Sequence, residues 1–431
     1  MKFISIKDAM KKGTGKVSIH GWVYRIRKSN EFVFIILRDA SEIIQCVIEK
    51  KKSPKLFGDA GKLTVESSLE LEGTIKKEKR APTGYELHVD KLNIINLAER
   101  FPITRDLSQE FLLDVRHLWL RSRKMTAVLK IRDTVFGAIH EFFRNNGFYE
   151  YQSPIFQSVQ CEGGSTLFEV PYFGKKGVFL AQTWQLYAEP AIFALEKIYT
   201  IAPSFRAEKS KTARHLTEYW HAEMEEAWAN FTDIQNYGEA MIKYIIKKVL
   251  EKNKPELKTL GRDPKDLEPT LKKKFPRMTY DEALKILKTK CKMNVPWGKD
   301  LRTIEEDKLS KLYDTPIIVT HYPKQVKAFY MKEDPKNPKV VFGCDFLAPE
   351  GYGELIGGSE REPDLKKLIK RLKEMKEDVK NYKFYLDTRR YGSVPHGGFG
   401  FGVERAIAWI CKLNTIKDAI PFPRTLERYQ P

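Results

Sequence analysis

Five short stretches of β-type sequence lie within residues 16–95, and they constrain the fold more than any other feature. Alternating or continuous apolar residues mark the stretches 17–24, 32–37, 43–48, 69–73 and 85–89. Glycine, proline and lysine separate these stretches, as is typical of turns between short strands. Five short strands in about 80 residues predict a small sandwich or an OB-type barrel.

The chain beyond residue 96 alternates helices and strands without the regular rhythm of a Rossmann domain. From Met125 to Asn146 apolar residues recur at helical spacing, and Gly147 then ends the helix before a strand at 148–151. Thr279 and Glu282 have the spacing of a capping box. We therefore expect an α+β protein that begins with an all-β module.

The charge of the chain favours a polyanionic partner. It has 76 basic and 57 acidic residues, a net charge of +19, and lysine and arginine release counterions when they bind phosphates. A lysine-rich or heat-adapted proteome would give the same excess.

The cysteines and the hydropathy profile predict a cytoplasmic protein. Five scattered cysteines without a CxxC pair argue against a disulfide framework and a structural zinc site. The sequence has neither a signal-peptide apolar region nor an apolar run of about 18 residues that would span a membrane.

Residues 198–225 contain a cationic loop between two β-like arms. Arg206 ends the first arm, and Lys209, Lys211, Arg214 and His215 follow in the loop. One fixed cation with several adjustable ones suits a triphosphate. A solvated hairpin tip would have the same composition.

Two later segments are also candidates for binding chemistry. Asp345 and Glu354 lie on a predicted strand pair and could hold Mg²⁺, a hard cation that takes oxygen ligands. Residues 397–402 form a glycine-rich strand that leads into a helix with Arg405 in its first turn. This spacing is not the GxGxxG of dinucleotide-binding proteins. Each segment alone also fits a structural role.

The order of these segments resembles the class II aminoacyl-tRNA synthetases of the aspartyl/asparaginyl group, of the archaeal and eukaryotic type, over nearly the whole chain. Motif 1 corresponds to residues 125–154, motif 2 to 205–208 with its loop, and motif 3 to 400–405. The resemblance implies a homodimer with Pro154 at its interface. It also implies an antiparallel sheet flanked by helices, with an OB-fold anticodon-binding domain at 1–97, a linker at 98–124 and a catalytic domain at 125–431.

The resemblance implies ATP-dependent activation of an amino acid and its transfer to tRNA. Arg206 would grip the α-phosphate and the amino-acid carboxylate, and Arg405 would cover the adenine, so these two are the predicted catalytic residues. The predicted ATP-binding residues are these two with Glu208, Arg214, His215, Leu216, Tyr219 and Glu354. Asp345 and Glu354 would bind Mg²⁺. Gly357 stands where aspartyl relatives have a serine, so one metal contact of those relatives is missing.

The pocket residues favour asparagine over aspartate. Aspartyl enzymes have a lysine where this chain has Ala188, so the cation that would neutralise aspartate is missing. Arg361 would donate to the side-chain oxygen, and Glu223 or Glu225 would accept from the amide, which favours a carboxamide. The other predicted amino-acid-binding residues are Glu162, Gln182, Gln185 and Gly358. The expected tRNA partner is tRNA(Asn).

The N-terminal module resembles the anticodon barrel of this group. Splayed bases are read there by stacking and by hydrogen bonds to their edges. Phe34 would stack on a base, Gln45 and Glu86 would read base edges, and Arg25 and Arg27 would contact the backbone. Phe34 could instead be a core residue.

Three alternatives remain on the sequence alone. The chain could be an aspartyl-tRNA synthetase, including a non-discriminating one. It could be a synthetase-derived asparagine synthetase, although such an enzyme has little use for an anticodon barrel. It could be a non-catalytic RNA-binding relative, although Arg206, Glu208 and Arg405 are all present.

Overall fold

The structure, a computed structural model, describes residues 2–104, 107–161, 167–209, 212 and 214–431. The chain divides into two compact units, Met1–Leu112 and Leu113–Pro431. The predicted α+β class is confirmed, because the first unit contains a closed five-stranded barrel and the second a large sheet with helices. The domain limits at residues 97 and 124 stay a prediction, and two short helices lie within the predicted linker.

The first unit is built on the five strands expected from the sequence. Its elements are α1 Ile6–Lys12, β1 Gly15–Lys28, β2 Phe32–Arg38, β3 Ile43–Glu49, α2 Pro54–Gly61, β4 Ser68–Lys77 and β5 Tyr85–Asn96. The barrel closes in the order β1-β2-β3-β5-β4, with β3 and β5 parallel and the other pairs antiparallel. Along β2, Val33, Ile35 and Leu37 point into the core, and the residues between them are only half-buried. This period of two is the pattern of a strand with one face in a core.

The second unit contains the remaining elements. Its helices are α3 Gln109–Asp114, which spans the unit boundary, α4 Arg116–Trp119, α5 Arg123–Asn145, α6 Gln185–Ala188, α7 Ile192–Leu195, α8 Phe231–Lys252, α9 Lys254–Thr259, α10 Glu268–Lys272, α11 Tyr280–Lys290, α12 Thr303–Ser310, α13 Leu365–Glu374, α14 Lys383–Arg390 and α15 Val403–Cys411. Its strands are β6 Tyr149–Glu150, β7 Phe156–Gln157, β8 Phe179–Leu180, β9 Lys197–Phe205, β10 Glu218–Ala227, β11 Arg277–Thr279, β12 Ile317–Thr320, β13 Glu333–Asp334, β14 Asn337–Val341, β15 Gly343–Ala348, β16 Gly353–Glu360 and β17 His396–Gly402.

An eight-stranded sheet in the order β11-β12-β15-β16-β17-β10-β9-β6 forms the centre of this unit. Its pairs are antiparallel except β11 with β12 and β6 with β9. Helices α5, α8 and α15 pack against one face and bury a single large apolar core. The opposite face of the central strands is therefore available to form a site.

The helix boundaries follow the capping residues in the sequence. Ser122 is the N-cap of helix α5, and its hydroxyl accepts from the Met125 amide; the helix ends before Gly147, which has a φ of 79°. The Thr279–Glu282 capping box predicted from the sequence is present. Among the described residues, no helix has both the length and the apolar character needed to cross a membrane.

Candidate active site

The antiparallel arms β9 and β10 hold Arg206 at the mouth of their connecting loop. Phe205 pairs with Glu218, so Arg206 follows the last residue of β9 directly. On β10, Ala222 and Met224 point into the apolar core. Residues of the opposite parity, His221, Glu223 and Glu225, therefore face away from the core. One strand thus presents a row of polar side chains to one face of the sheet.

A first cavity brings together all eight residues that the sequence predicted for ATP binding. They are Arg206, Glu208, Arg214, His215, Leu216, Tyr219, Glu354 and Arg405. Strand β17 contributes Gly400 and Gly402, and the neighbouring residues Phe399 and Phe401 point into the core. A Cβ at Gly400 would lie 2.4 Å from Nε2 of His221. Glycine therefore keeps the floor of this cavity open.

The two predicted catalytic arginines lie in the wall of this cavity. The guanidinium carbon of Arg206 lies 5.5 Å from the centre of the Tyr219 ring. Arg405 donates through Nη1 to the backbone oxygen of Glu354 at 3.0 Å. Two fixed cations from distant segments thus face one space, which suits a polyphosphate.

Two other basic residues of the first cavity, Arg214 and His215, lie against carboxylates. Arg214 forms a bidentate ion pair with Asp307 on α12, with distances of 2.6 and 2.9 Å, and also donates to the Gly351 carbonyl. Nε2 of His215 lies 3.5 Å from the carboxylate of Glu208. Burial lowers the pKa of His215, an effect that Glu208 opposes.

A second cavity adjoins the first and contains most of the predicted amino-acid-binding residues. Gln185, Glu223, Glu225, Gly358 and Arg361 line it. Arg206, His221, Glu354 and Gly400 line both cavities. Molecules bound in the two cavities would therefore contact some of the same residues.

Two predicted residues are placed differently. Gln182 is buried outside the wall of the second cavity, where its side-chain oxygen accepts from the Cys161 amide at 3.3 Å. Glu162 lies outside the described residues.

The carboxylates of the second cavity already have defined partners. Glu225 forms a bidentate ion pair with Arg361 at 3.0 and 2.9 Å, and both side chains are almost fully buried. Burial raises the pKa of Glu225, although Arg361 acts in the opposite direction. Glu223 accepts from the Trp184 amide at 2.8 Å and from the Thr183 hydroxyl. Glu223 thereby fixes the turn before Gln185, and Glu225 fixes Arg361.

Ala188 differs from the sequence-based expectation. The sequence argument assigns this position to the pocket, but Ala188 is 0% exposed in an apolar cluster with Trp184, Ile192 and Ile198. It is absent from the lining of the second cavity. A lysine at position 188 would enter this apolar cluster and not the pocket, so the argument from Ala188 for asparagine does not hold.

Asp345 and Glu354 lie close together on the neighbouring strands β15 and β16. A Cβ at Gly357 would be 2.9 Å from Oε1 of Glu354 and 3.9 Å from Oδ1 of Asp345, so glycine keeps the space between the carboxylates open. Nζ of Lys327 donates to the other oxygen of Asp345 at 2.7 Å. Burial raises the pKa of Asp345 to about 7 and that of Glu306 to about 8, and nearby Glu354 adds to both shifts. Crowded carboxylates of this kind suit a divalent cation.

The predicted anticodon residues share one face of the barrel. Strand pairing forms two adjacent rows, Arg25–Ile36–Gln45–Glu86 and Arg27–Phe34–Val47–His88. Gln45 donates to Glu86 at 3.2 Å, and Phe34 stacks with Phe32 at 5.8 Å. Phe34 is half-buried on the outside of the barrel, so it is not a core residue. We call this surface the barrel face.

Pro154 is exposed beside an apolar surface. Among the described residues, β6 forms one edge of the large sheet. Tyr149, Ile155, Phe156 and Phe173 in this region are 60%, 43%, 52% and 91% exposed. Exposed apolar side chains in this number are typical of a protein interface.

Sequence reasoning missed several residues of the site. His221 could have been found, because it alternates with Tyr219 and Glu223 along β10. Lys327 and Tyr330 line the second cavity but belong to an irregular segment, where no sequence period indicates which side chains face a site. His88, at the end of one row on the barrel face, contacts Glu86 at 2.7 Å.

Comparisons with known proteins match both units. A family model described as tRNA synthetases class II (D, K and N) matches residues 108–426, and one described as an OB-fold nucleic acid binding domain matches 17–95. The asparagine–tRNA ligase of Thermoplasma acidophilum is 49% identical over 417 residues, which cover 96% of each chain. That of Symbiobacterium thermophilum is 44% identical over 100% of each chain. The crystal structure of asparaginyl-tRNA synthetase from Pyrococcus horikoshii, complexed with asparaginyl-adenylate, matches all of both chains with a TM-score of 0.95 and 45% identity.

Proposed function

We propose, from the premise that this chain belongs to the class II tRNA synthetases (D, K and N), that it is an asparagine–tRNA ligase, which activates asparagine with ATP and joins it to tRNA(Asn). It is an aminoacyl-tRNA ligase with an OB-fold barrel. The observation that carries the proposal is the shared wall of the two cavities, where Arg206 faces both. Two substrates must be in contact to react, and the shared wall is where this contact would occur.

The first cavity binds ATP in this proposal. Arg405 covers the adenine and Tyr219 lies against its other face, with Arg214 and His215 near the terminal phosphates. Arg206 holds the α-phosphate and the carboxylate of asparagine in line for attack. The carboxylate oxygen then bonds to the α-phosphorus, and pyrophosphate leaves with the electrons of the broken P–O bond. No general base is needed, because alignment and charge neutralisation supply the catalysis.

The second cavity binds asparagine. Arg361 donates to the side-chain oxygen, Glu225 accepts from the amide, and Gln185 accepts from the ammonium group. The contact between Arg361 and Glu225 supports this assignment, because a donor and an acceptor lie side by side for a carboxamide. Aspartate would bring a carboxylate close to Glu225, and a buried pair of like charges costs several kcal/mol.

Asp345 and Glu354 are the residues that would hold Mg²⁺. The space beside Gly357, between two crowded carboxylates, supports the fit. The ion, when bound, neutralises charge on the phosphates. Lys327 orients Asp345 through one oxygen and leaves the other directed towards Glu354.

The barrel face binds the anticodon of tRNA(Asn) in this proposal. A base stacks on Phe34, and Gln45 and Glu86 read base edges. In the transfer step, a ribose hydroxyl at the 3′ end of the tRNA attacks the carbonyl carbon of the adenylate, and AMP leaves. The positive charge of the chain supports the binding of the polyanion.

We further infer that the chain forms a homodimer in the cytoplasm. The edge strand β6 and the exposed apolar residues near Pro154 support an interface there. Strand edges and apolar patches that stay uncovered favour aggregation, so a partner is expected at this surface.

Arg206→Ala tests the proposal. We expect asparagine-dependent ATP–pyrophosphate exchange to fall by about 10³-fold or more, because a fixed charge on the reacting phosphate is lost. Binding of tRNA(Asn) in a filter assay should stay within about twofold of the unmodified chain. Arg277→Ala removes an exposed arginine away from both cavities and is the control. Exchange that persists in Arg206→Ala would contradict the proposal, as would exchange of the unmodified chain that prefers aspartate.

A further inference from the structure

A buried network of charges lies behind the second cavity, and Glu189 is its centre. Glu189 is 0% exposed and follows the turn that carries Gln185. One of its oxygens accepts from Nε2 of Gln185 and from the Tyr385 hydroxyl, both at 2.9 Å. The other accepts from Arg389 at 2.6 Å and contacts Nε2 of His396 at 3.0 Å. Glu189 therefore holds a residue of the cavity wall from behind.

Glu189 also reaches the second recognition residue of the pocket. Nε of Arg361 lies 4.0 Å from Oε1 of Glu189, and Arg361 pairs with Glu225 on its other side. One carboxylate thus stands behind both Gln185, which faces the substrate ammonium in the proposed function, and Arg361, which faces the side chain. A substitution of Glu189 will therefore affect substrate binding through Gln185 and Arg361.

The charges around Glu189 are balanced between two arginines and two carboxylates. Nδ1 of His396 lies 2.8 Å from the Val394 carbonyl, and its Nε2 faces the Glu189 carboxylate. Arg361 and Arg389 provide two cations, against the two anions Glu189 and Glu225. Arg389 and His396 lower the pKa of Glu189, although burial acts to raise it, so Glu189 stays ionised.

We propose that Glu189 is a positioning residue that sets the selectivity for asparagine, because its charge keeps the wall of the pocket from attracting a substrate carboxylate. Without the charge of Glu189, one anion, Glu225, would remain against the same two arginines. The net positive charge behind the pocket would then attract the β-carboxylate of aspartate. The inference rests on the proposed function and adds the source of its selectivity.

A metal site is the competing explanation for the cluster of Glu189, Glu225 and His396. Ligand atoms of Glu189, Glu225 and His396 lie within 4.8 Å of one another. Each carboxylate, however, already forms a close ion pair with an arginine, Glu189 with Arg389 and Glu225 with Arg361. The arginines therefore supply the positive charge that a metal would bring.

Glu189→Gln tests the proposal by ATP–pyrophosphate exchange with asparagine and with aspartate. We expect the ratio of kcat/KM for aspartate to that for asparagine to rise about tenfold or more, because one unit of positive charge appears near the side-chain site. Glu189→Asp keeps the charge, so it should lower both values and leave their ratio within about twofold. Glu226→Gln removes a buried carboxylate of the neighbouring strand that pairs with Lys197, and it should not change the ratio.

The charge explanation has a second, independent test. Arg389→Met removes a cation, so the inhibition constant of aspartate against asparagine-dependent exchange should rise at least threefold relative to the KM for asparagine. This inhibition constant tests the inference even if Glu189→Gln does not fold. A parallel fall for both amino acids in folded Glu189→Gln, or an unchanged or lower inhibition constant in Arg389→Met, overturns the inference. Preference of the unmodified chain for aspartate would instead overturn the proposed function.

Discussion

His321 illustrates how a single residue can couple the fold to pH. Its φ is 58°, a conformation that favours glycine, asparagine and aspartate. Its ring packs edge-on against Phe231 and Phe342, both at 5.6 Å. Burial lowers the pKa of His321 from its ordinary value of 6.5. The folded chain therefore binds a proton here less readily than the unfolded chain.

We expect the free energy of unfolding to fall as the pH drops below about 6.5, the ordinary pKa of histidine, and to level off below the folded pKa. The sign follows from the lowered pKa, because protons bind the unfolded state first. His321→Asn keeps the backbone conformation and should flatten this part of the profile. Urea unfolding of both chains at several pH values between 5 and 8 measures it. Parallel profiles for the two chains would rule out this role of His321.

Single residues also show what the sequence could and could not predict. The positions of Arg206 and Arg405 were predictable, because a strand end and a glycine-rich strand that leads into a helix place them within a few residues of a regular element. Glu189 and Lys327 were not, since long-range folding brings them to the site from a turn and an irregular segment. Ala188 was misplaced because a difference from relatives does not reveal which way a side chain points.

At the scale of elements, Glu404 connects helix α15 with helix α5 and strand β10. It lies in the first turn of α15 and is 2% exposed. Its carboxylate accepts from Arg132 of α5 at 2.7 Å and from the Trp220 amide of β10 at 2.9 Å. Arg132 also donates to the Ala419 carbonyl at 3.0 Å. The position of the neighbouring Arg405 therefore depends on helix α5 and strand β10.

We expect Glu404→Gln to lower the free energy of unfolding by about 3–5 kcal/mol, because Arg132 would stay buried without its counter-charge. The KM for ATP should also rise, since Arg405 follows directly in the chain. Chemical denaturation and exchange kinetics measure the two effects. The double variant Arg132→Met, Glu404→Gln removes both charges and should recover part of the lost stability. A single variant as stable as the unmodified chain would refute this role of Glu404.

Elements with local signals were predicted well from the sequence. The helix after Ser122, the capping box at Thr279 and the helix carrying Arg405 all depend on residues a few positions apart. The order of the strands in the large sheet does not depend on residues that are close in sequence. Strand β17 lies between β16 and β10, although more than 150 residues separate β10 from β17 in the chain. Such pairings depend on contacts that no local period encodes.

At the scale of the whole molecule, the two units contain different predicted binding sites. The barrel face carries the predicted anticodon residues, and the two cavities lie in the second unit. Activation of the amino acid needs only the cavities, whereas transfer needs the tRNA as well. Substitutions on the barrel face should therefore affect one half-reaction and spare the other.

We expect Phe34→Ala to raise the KM for tRNA(Asn) by about tenfold, because stacking on an aromatic ring contributes about 1–3 kcal/mol per base. Exchange of pyrophosphate with asparagine should stay unchanged. Aminoacylation at several tRNA concentrations measures the first effect. Phe3→Ala removes another exposed aromatic residue of the barrel that lies off the barrel face, and it serves as the control. An equal effect of both substitutions would argue against base stacking on Phe34.

Arg206 stands in the wall that the two cavities share, and this has a thermodynamic consequence. Any ligand that reorients this guanidinium from one side alters the free energy of binding on the other, and linkage makes the two effects equal. If the nucleotide tightens the hold on the amino acid by some factor, the amino acid tightens the hold on the nucleotide by that same factor. Any coupling of this kind between the substrates would pass through one side chain that both sites share.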